Sequence, residues 1–385
     1  MIATLTLTKI HHKKLRKELY GLIKGLRRFI RRRIMALIHG AKYVSAGKLF
    51  PVMSATKLRR YNGKTIYWLG SFPPWQRNLG DQAQTYATRL FLDRYFPDYR
   101  IIKYERDKIA DKTLNAISNN IKVSDFVLIA SNGDFGDFYV DNENAMSHVR
   151  RNIARSLRNT KKIYLSSTVY YKDNSSQNKW IKVDRNLFSQ PGDYLLCREK
   201  KSQQLLNDIG MNGILFPDIV FFMKPDRVRV NTNKDRHALI VLRDVEHESA
   251  LSRHDHQQVL EVTERAGYMV CFKDVHNLRY SLYECMHEKY FASIHEMYQN
   301  YALVITDRMH SMIFAALNGI PCIAISNGIP HKIPAYHDWL RQGTVFIDTI
   351  EGLPSALEKA AALTPEPVDF SSEFDSFRSR FVDDF

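Results

Sequence analysis

The feature that most constrains this chain is an alternation, run twice, of short apolar segments with amphipathic segments of ten or more residues. In the first run "KTIYWLG", "YRIIKY", "SDFVLIAS", "KKIYLSST" and "DYLLCRE" read as strands. Helical patterns over "DQAQTYATRLFLDRYF", "DKTLNAISNN", "NAMSHVRRNIARSLRN", "SSQNKWIKVDRNLFSQ" and "KKSQQLLNDIG" separate or follow them. "SDFVLIAS" is apolar without alternating, so both its faces are covered, as in a parallel sheet. After "GILFPDIVFFM" the polar stretch "KPDRVRVNTNKDRH" reads as a linker. The alternation then resumes with "HALIVLRD", "YMVCFKD", "YALVIT", the apolar strand after Gly-Ile-Pro, and "GTVFIDT". Strands joined by helices of this length imply parallel sheets covered on both faces. The expected fold is therefore α/β, with two Rossmann-like domains facing across a cleft, at residues 62–228 and 235–350. Residues 1–50 form an N-terminal arm, and residues 351–385 a helical tail that packs across the domains.

Charge separates the arm from the body. The chain carries a net charge of +15, and residues 1–48 hold 13 Lys/Arg against one acid, Glu18. The remaining 337 residues are nearly neutral, which argues against nucleic acid as the partner, as does the lack of an RNP or helix-turn-helix signature. Leu15, Leu19, Leu22, Leu26 and Phe29 recur at three- and four-residue steps, with Lys and Arg between. A basic amphipathic helix over residues 9–38 suits an anionic membrane surface. A helix packing on a partner or on the body is the alternative. No apolar run approaches the ~20 residues needed to span a bilayer, and the order of a secretory signal is missing. The four cysteines form no CxxC pair, and Cys197, Cys271 and Cys322 sit in or beside apolar runs, as buried thiols in a reducing compartment would. The localisation expected is cytoplasmic, at the inner membrane face if the arm binds lipid.

Ligands of such sheets sit beyond the carboxyl ends of the strands, so the residues just after each strand are the candidates. Four places stand out. "RNLGDQAQ" puts Asn78, Gly80, Asp81 and Gln82 between the first strand and its helix. Gly80 permits a tight turn, and Asp81 is placed either to cap the helix or to act in a site. "SNGDFGDFY" brings Gly133, Asp134, Gly136 and Asp137 after a buried strand, as a ligand-binding loop or a plain turn. "VLRDVE" ends a strand of the second domain with Arg243, and "TDRMHSM" ends another with Asp307, Arg308 and His310. An arginine leaving a buried strand needs an anion or an acid. Two second-domain strands ending in arginine would converge at the cleft, and with a helix start beside Arg308 they make a site for a phosphate or carboxylate. Taken singly, Arg308 also reads as a structural partner of Asp307, and His310 as a helix-face histidine. No metal site is expected, since "HHKK" and "HDHQQ" lack completing ligands. A GxSxG or Cys–His nucleophile signature is missing too.

Together these strand ends resemble the polysaccharide pyruvyl transferase family over roughly Trp68 to Asn327. The resemblance rests on "NLGDQAQ", "SNGDFGDFY", "CREKKSQQLL" around Arg198, "FPDIVFF" around Asp218, "VLRDVE" and "TDRMHSMIFAALNGIPCIAI". The last is the most specific, because family members carry D-R-x-H followed by a small-residue helix and GIP. One departure is "ASNGD", where most members have consecutive glycines. The resemblance implies a GT-B-like arrangement and transfer of the pyruvyl group of phosphoenolpyruvate to two hydroxyls of a cell-surface glycan, forming a ketal. It implies that Arg308, His310 and Arg243 face the donor. Asn78, Gly80, Asp81, Gln82, Gly133, Asp134, Gly136 and Asp137 then fall to the acceptor side.

That chemistry suits the residue types. Phosphoenolpyruvate carries a carboxylate and a phosphate on three carbons, so closely spaced arginines would hold it without any further cofactor. His310 can deliver a proton to the donor, and Asp81 or Asp137 can take one from the attacking hydroxyl. A lipid-linked acceptor would account for the basic arm. A GT-B glycosyltransferase using a nucleotide sugar is the competing reading, because it too sets a basic residue at a helix start.

Overall fold

The computed structural model describes residues 43–45, 63–142, 145–175, 177–225, 236–243, 251–273, 278, 280–326 and 332–383. The chain divides into two compact units, Met1–Ser45 and Ala46–Phe385. In the first, one strand, Tyr43–Ser45, is described. The basic helix expected over residues 9–38 and most of the expected linker lie outside the described residues. Among the described residues, no helix is long and apolar enough to cross a membrane.

The second unit holds two parallel sheets. The first contains β1 (Thr65–Ser71), β2 (Arg100–Glu105), β3 (Phe126–Ile129), β5 (Lys162–Ser167), β7 (Asp193–Cys197) and β8 (Gly213–Leu215), in the order β2-β1-β3-β5-β7-β8. A separate parallel pair joins β4 (Phe135–Gly136) to β6 (Val169–Tyr170). The second sheet contains β9 (His237–Val241), β10 (Met269–Phe272), β11 (Leu303–Thr306), β12 (Cys322–Ile325) and β13 (Thr344–Ile347), ordered β10-β9-β11-β12-β13. Every pairing recorded within these sheets is parallel, so each is a Rossmann-like sheet. The apolar runs of β3, β11 and β12 are buried at every position, as strands covered on both faces must be.

The helices are α1 (Leu79–Tyr95), α2 (Asp111–Ser118), α3 (Met146–Ser156), α4 (Lys179–Phe188), α5 (Lys200–Asp208), α6 (Arg253–Arg265), α7 (Glu284–Gln299), α8 (Met309–Leu317), α9 (Lys332–Trp339) and α10 (Leu353–Ala361). Sequence periodicity does not reveal α9, which carries Pro334 and a weak apolar stripe. Proline is tolerated here because it lies in the first turn, where its missing N–H is not needed. Each sheet has its own apolar core. One is built around Tyr67, Leu69, Val127 and Ile129, the other around Ile240, Ile305, Ile323 and Leu353.

The two sheets are joined by α1 and by the C-terminus. On α1, Tyr86 stacks on Phe291 of α7 with centroids 5.3 Å apart. After α10 packs on the second sheet, the chain returns to the first through α11 (Ser371–Asp375) and α12 (Phe377–Phe381). There Phe377 meets Phe91, Phe96 and Phe216 at centroid distances of 4.8, 6.2 and 5.5 Å. The expected tail thus divides: its first helix belongs to the second sheet and its last two to the first.

Candidate active site

The order of each sheet fixes where a site can form. In the second sheet the chain leaves β9 to one side for β10 and returns on the other for β11, so the crevice lies beyond β9 and β11. Val241 pairs with Thr306 in the ladder, so Arg243 and Asp307 leave the sheet side by side. Asp307 is fully buried, and its Oδ1 accepts the backbone N–H of Arg243 at 2.8 Å. Arg308 Nε lies 3.8 Å from the same oxygen. Thr306 completes the junction, its hydroxyl donating to Val241 O at 2.6 Å and accepting the Arg308 N–H at 2.9 Å. Burial raises the Asp307 carboxyl above its ordinary range, opposed by Arg308 and Arg243. One acid therefore ties both strand ends together and orients Arg308, which is one tenth exposed. Arg308 is also the N-cap position of α8, with no side chain capping the first turn, so the positive helix end adds to the local potential.

In the first sheet the crevice lies beyond β1 and β3, where α1 begins. Asn78 caps α1, its Oδ1 accepting the Gly80 N–H at 2.9 Å. Capping thus falls to Asn78 rather than Asp81, whose half-buried carboxylate accepts Gln76 Nε2 at 2.9 Å. Gln82 is buried and spans the entry loop, donating to Pro73 O and Gln76 O at 2.8 Å each. Gly80 faces the second domain: a Cβ there would stand 2.0 Å from His310 Nδ1. The two crevices therefore meet where α1 and α8 start, with Gly80 against His310 and Asn78, Asp81 and Gln82 at the same end of α1.

The other loop turns inward. Asp134, buried, pairs with Arg150 Nη1 at 2.9 Å and accepts the Met146 N–H, also at 2.9 Å. Asp137, equally buried, accepts the Lys172 N–H at 2.7 Å and Asn178 Nδ2 at 2.9 Å. Gly136 has φ of +104°, and a Cβ would meet Tyr170 O at 2.0 Å. Gly133 is half-buried beside them. These contacts seat the segment on the β4–β6 pair and point both carboxylates into the first domain.

A third group joins the halves beside His310. Arg198 and Asp218, both buried, are 2.9 Å apart through Nη1 and Oδ2. Tyr336 of α9 donates to the same Oδ2 at 3.1 Å, and the guanidinium lies 5.5 Å from its ring centroid. Burial raises the Asp218 carboxyl, but Arg198 and then His310 outweigh it and hold it below the ordinary range. Strand-end reasoning applied to β7 would have found Arg198. Tyr336 escapes it, because α9 itself does. Among the described residues, no three His, Cys, Asp or Glu side chains are grouped to hold a metal ion.

The chain is similar to General stress protein 30 of Bacillus subtilis, 26% identical over 318 residues, covering 81% of this chain and 89% of that one. It is similar to Pyruvyl transferase 1 of Schizosaccharomyces pombe, 25% identical over 303 residues, covering 75% and 73%. A solved structure from Listeria monocytogenes, named for UDP-N-acetylglucosamine 2-epimerase, superposes with a TM-score of 0.51 at 11% identity, covering 83% and 97%. That likeness speaks to fold alone, and it places the two domains in a GT-B-like arrangement. The description "Polysaccharide pyruvyl transferase" matches residues 78–328, from the cap of α1 to just past β12. That span contains every strand end of both crevices except the exit of β1, and the chain belongs to the polysaccharide pyruvyl transferase family.

Proposed function

We propose that the protein transfers the pyruvyl group of phosphoenolpyruvate to two hydroxyls of one sugar in a cell-surface polysaccharide or its lipid-linked precursor, forming a ketal. The observation that carries this reading is the Asp307 bridge, which holds Arg243 and Arg308 at adjacent strand ends with His310 two residues on. Two guanidinium forks at that spacing suit a small donor bearing both a carboxylate and a phosphate. His310 delivers a proton to the methylene carbon, and the neighbouring carbon gains oxocarbenium character. One sugar hydroxyl adds there while its proton passes to a carboxylate. The second hydroxyl then displaces phosphate, which leaves with the remaining proton. Asp81 suits the base better than Asp137, because it lies on the helix turn that meets His310 and is less buried. The basic segment at residues 9–38 supports a site of action at an anionic membrane surface.

Purified protein incubated with phosphoenolpyruvate and candidate glycans should release phosphate and add a carboxyethylidene mass to the glycan. A melting temperature raised by a UDP-sugar, and unmoved by phosphoenolpyruvate, would instead favour the nucleotide-sugar glycosyltransferase.

A further inference from the structure

Outside the crevice, the described surface exposes few large aromatic rings, and three of them lie on two touching segments. Trp75 is 53% exposed on the loop between β1 and α1. Tyr280 and Tyr283, 50% and 48% exposed, precede α7 in the second domain. The segments are joined by Leu278 N–H to Arg77 O and Leu282 N–H to Pro74 O, both at 2.9 Å. As one runs from 278 to 282 its partner runs from 77 back to 74, so they are antiparallel, and Tyr280 falls opposite Trp75 and Gln76. Leu278 and Leu282 are buried, whereas the Tyr280 ring stays half exposed and meets Tyr290 of α7 edge-on, with centroids 6.4 Å apart. The Lys108 ammonium lies 5.1 Å from the Trp75 ring centroid. Gln76, on the same loop, bonds Asp81, and Gly80 beside it touches His310.

We propose that Trp75 and Tyr280, flanked by Tyr283, form a stacking ledge for the acceptor glycan, seating a pyranose one or two units from the sugar that reacts. The inference rests on the reading that the acceptor is a polysaccharide. Indole and phenol rings offer flat apolar faces to the axial C–H groups of a pyranose and polar edges to its hydroxyls. The ledge spans both domains and ends at the loop whose Gln76 holds Asp81 in the first turn of α1, so a chain lying on it runs toward His310. A polymer needs such a subsite, because the reacting sugar alone does not identify its chain. An apolar protein partner would be expected to need a broader patch, and three rings with polar edges suit a sugar chain better.

The test is saturation-transfer NMR with neutral hexose and N-acetylhexosamine hexasaccharides, run without phosphoenolpyruvate. The wild-type protein should saturate ring C–H protons of at least one of them. Trp75→Ala and Tyr280→Ala should abolish that signal, and Trp75→Phe should retain part of it, with melting temperatures unchanged. In turnover, the two alanine variants should raise the acceptor KM about tenfold or more and leave kcat and the donor KM within about twofold. The ledge is overturned if no hexasaccharide is saturated by the wild type, or if the alanine variants saturate it equally. It is also overturned if those variants instead lose binding to phosphatidylglycerol vesicles. Glycan binding that depends on Trp75, without phosphate release, would sink the donor assignment and leave the ledge standing. Phosphate release with an unchanged acceptor KM in the variants would do the reverse.

Discussion

Gly80 and His310, 230 positions apart, touch across the two domains so closely that a Cβ on Gly80 would stand 2.0 Å from the imidazole Nδ1. The start of α1 thus supplies a bare backbone surface against which the imidazole rests. That contact makes Gly80 a sensitive probe of the site.

Gly80→Ala should test it directly. At an ordinary helical position this change stabilises by about 1 kcal/mol. Here the methyl must push the imidazole aside, and a displacement on the order of 1 Å costs about 10²-fold in rate. We expect a folded protein with transfer reduced by that factor, read from phosphate release and circular dichroism. A fully active variant would mean that the position of His310 does not matter.

His310→Ala and Arg308→Ala address the chemistry. Removing a positioned acid costs about 10²–10⁴-fold, and His310→Ala should lower kcat by such a factor. Arg308→Lys keeps the charge and loses the planar fork, so the donor KM should rise although the fold stands. Turnover equal to wild type in an alanine variant would remove that residue from the mechanism, and in both would remove the site.

Asp218→Ala is a stability experiment. The buried carboxylate serves Arg198, Tyr336 and the Val220 N–H together. Deleting it strands a buried guanidinium, at about 3–5 kcal/mol. Urea unfolding should show that loss, and Tyr336→Phe should lose much less. Equal midpoints for Asp218→Ala and wild type would contradict the network.

Acid should loosen the domain contact through His287. The imidazole is buried edge-on against the stacked rings of Tyr86 and Phe291, with centroids 5.5 and 5.9 Å away. Burial lowers its pKa from 6.5 to about 4, opposed by Glu284 and aided by Lys103. The unfolded chain then binds the proton that the folded chain refuses, so stability falls as pH drops from about 6.5 to about 4 and levels off below. The loss is on the order of 3 kcal/mol, and His287→Phe should flatten that limb of the stability–pH curve. A limb of unchanged slope in the variant would place the titrating group elsewhere.

Much of the fold and part of the site were legible along the chain. Uninterrupted apolar runs such as "FVLI" and "LVIT", alternating with helical stretches, read as strands covered on both faces, and ligands of such sheets sit beyond their carboxyl ends. Hence Arg243, Asp307, Arg308 and His310 could be read as one cluster, since each is within four residues of a strand end. Local sequence could not tell which carboxylates turn inward. Asp134 and Asp137 look like Asp81 until Arg150, Lys172 and Asn178 arrive from other elements. Nor could it foresee that Asn78 would cap α1, that Tyr336 would reach Asp218, or that Gly80 would face His310. By itself, then, the sequence determined the two sheets and the cationic strand ends, because periodicity and strand exits are local properties of a chain. Only the tertiary structure decided which groups meet, because contacts between residues hundreds of positions apart depend on how two separately packed sheets come together.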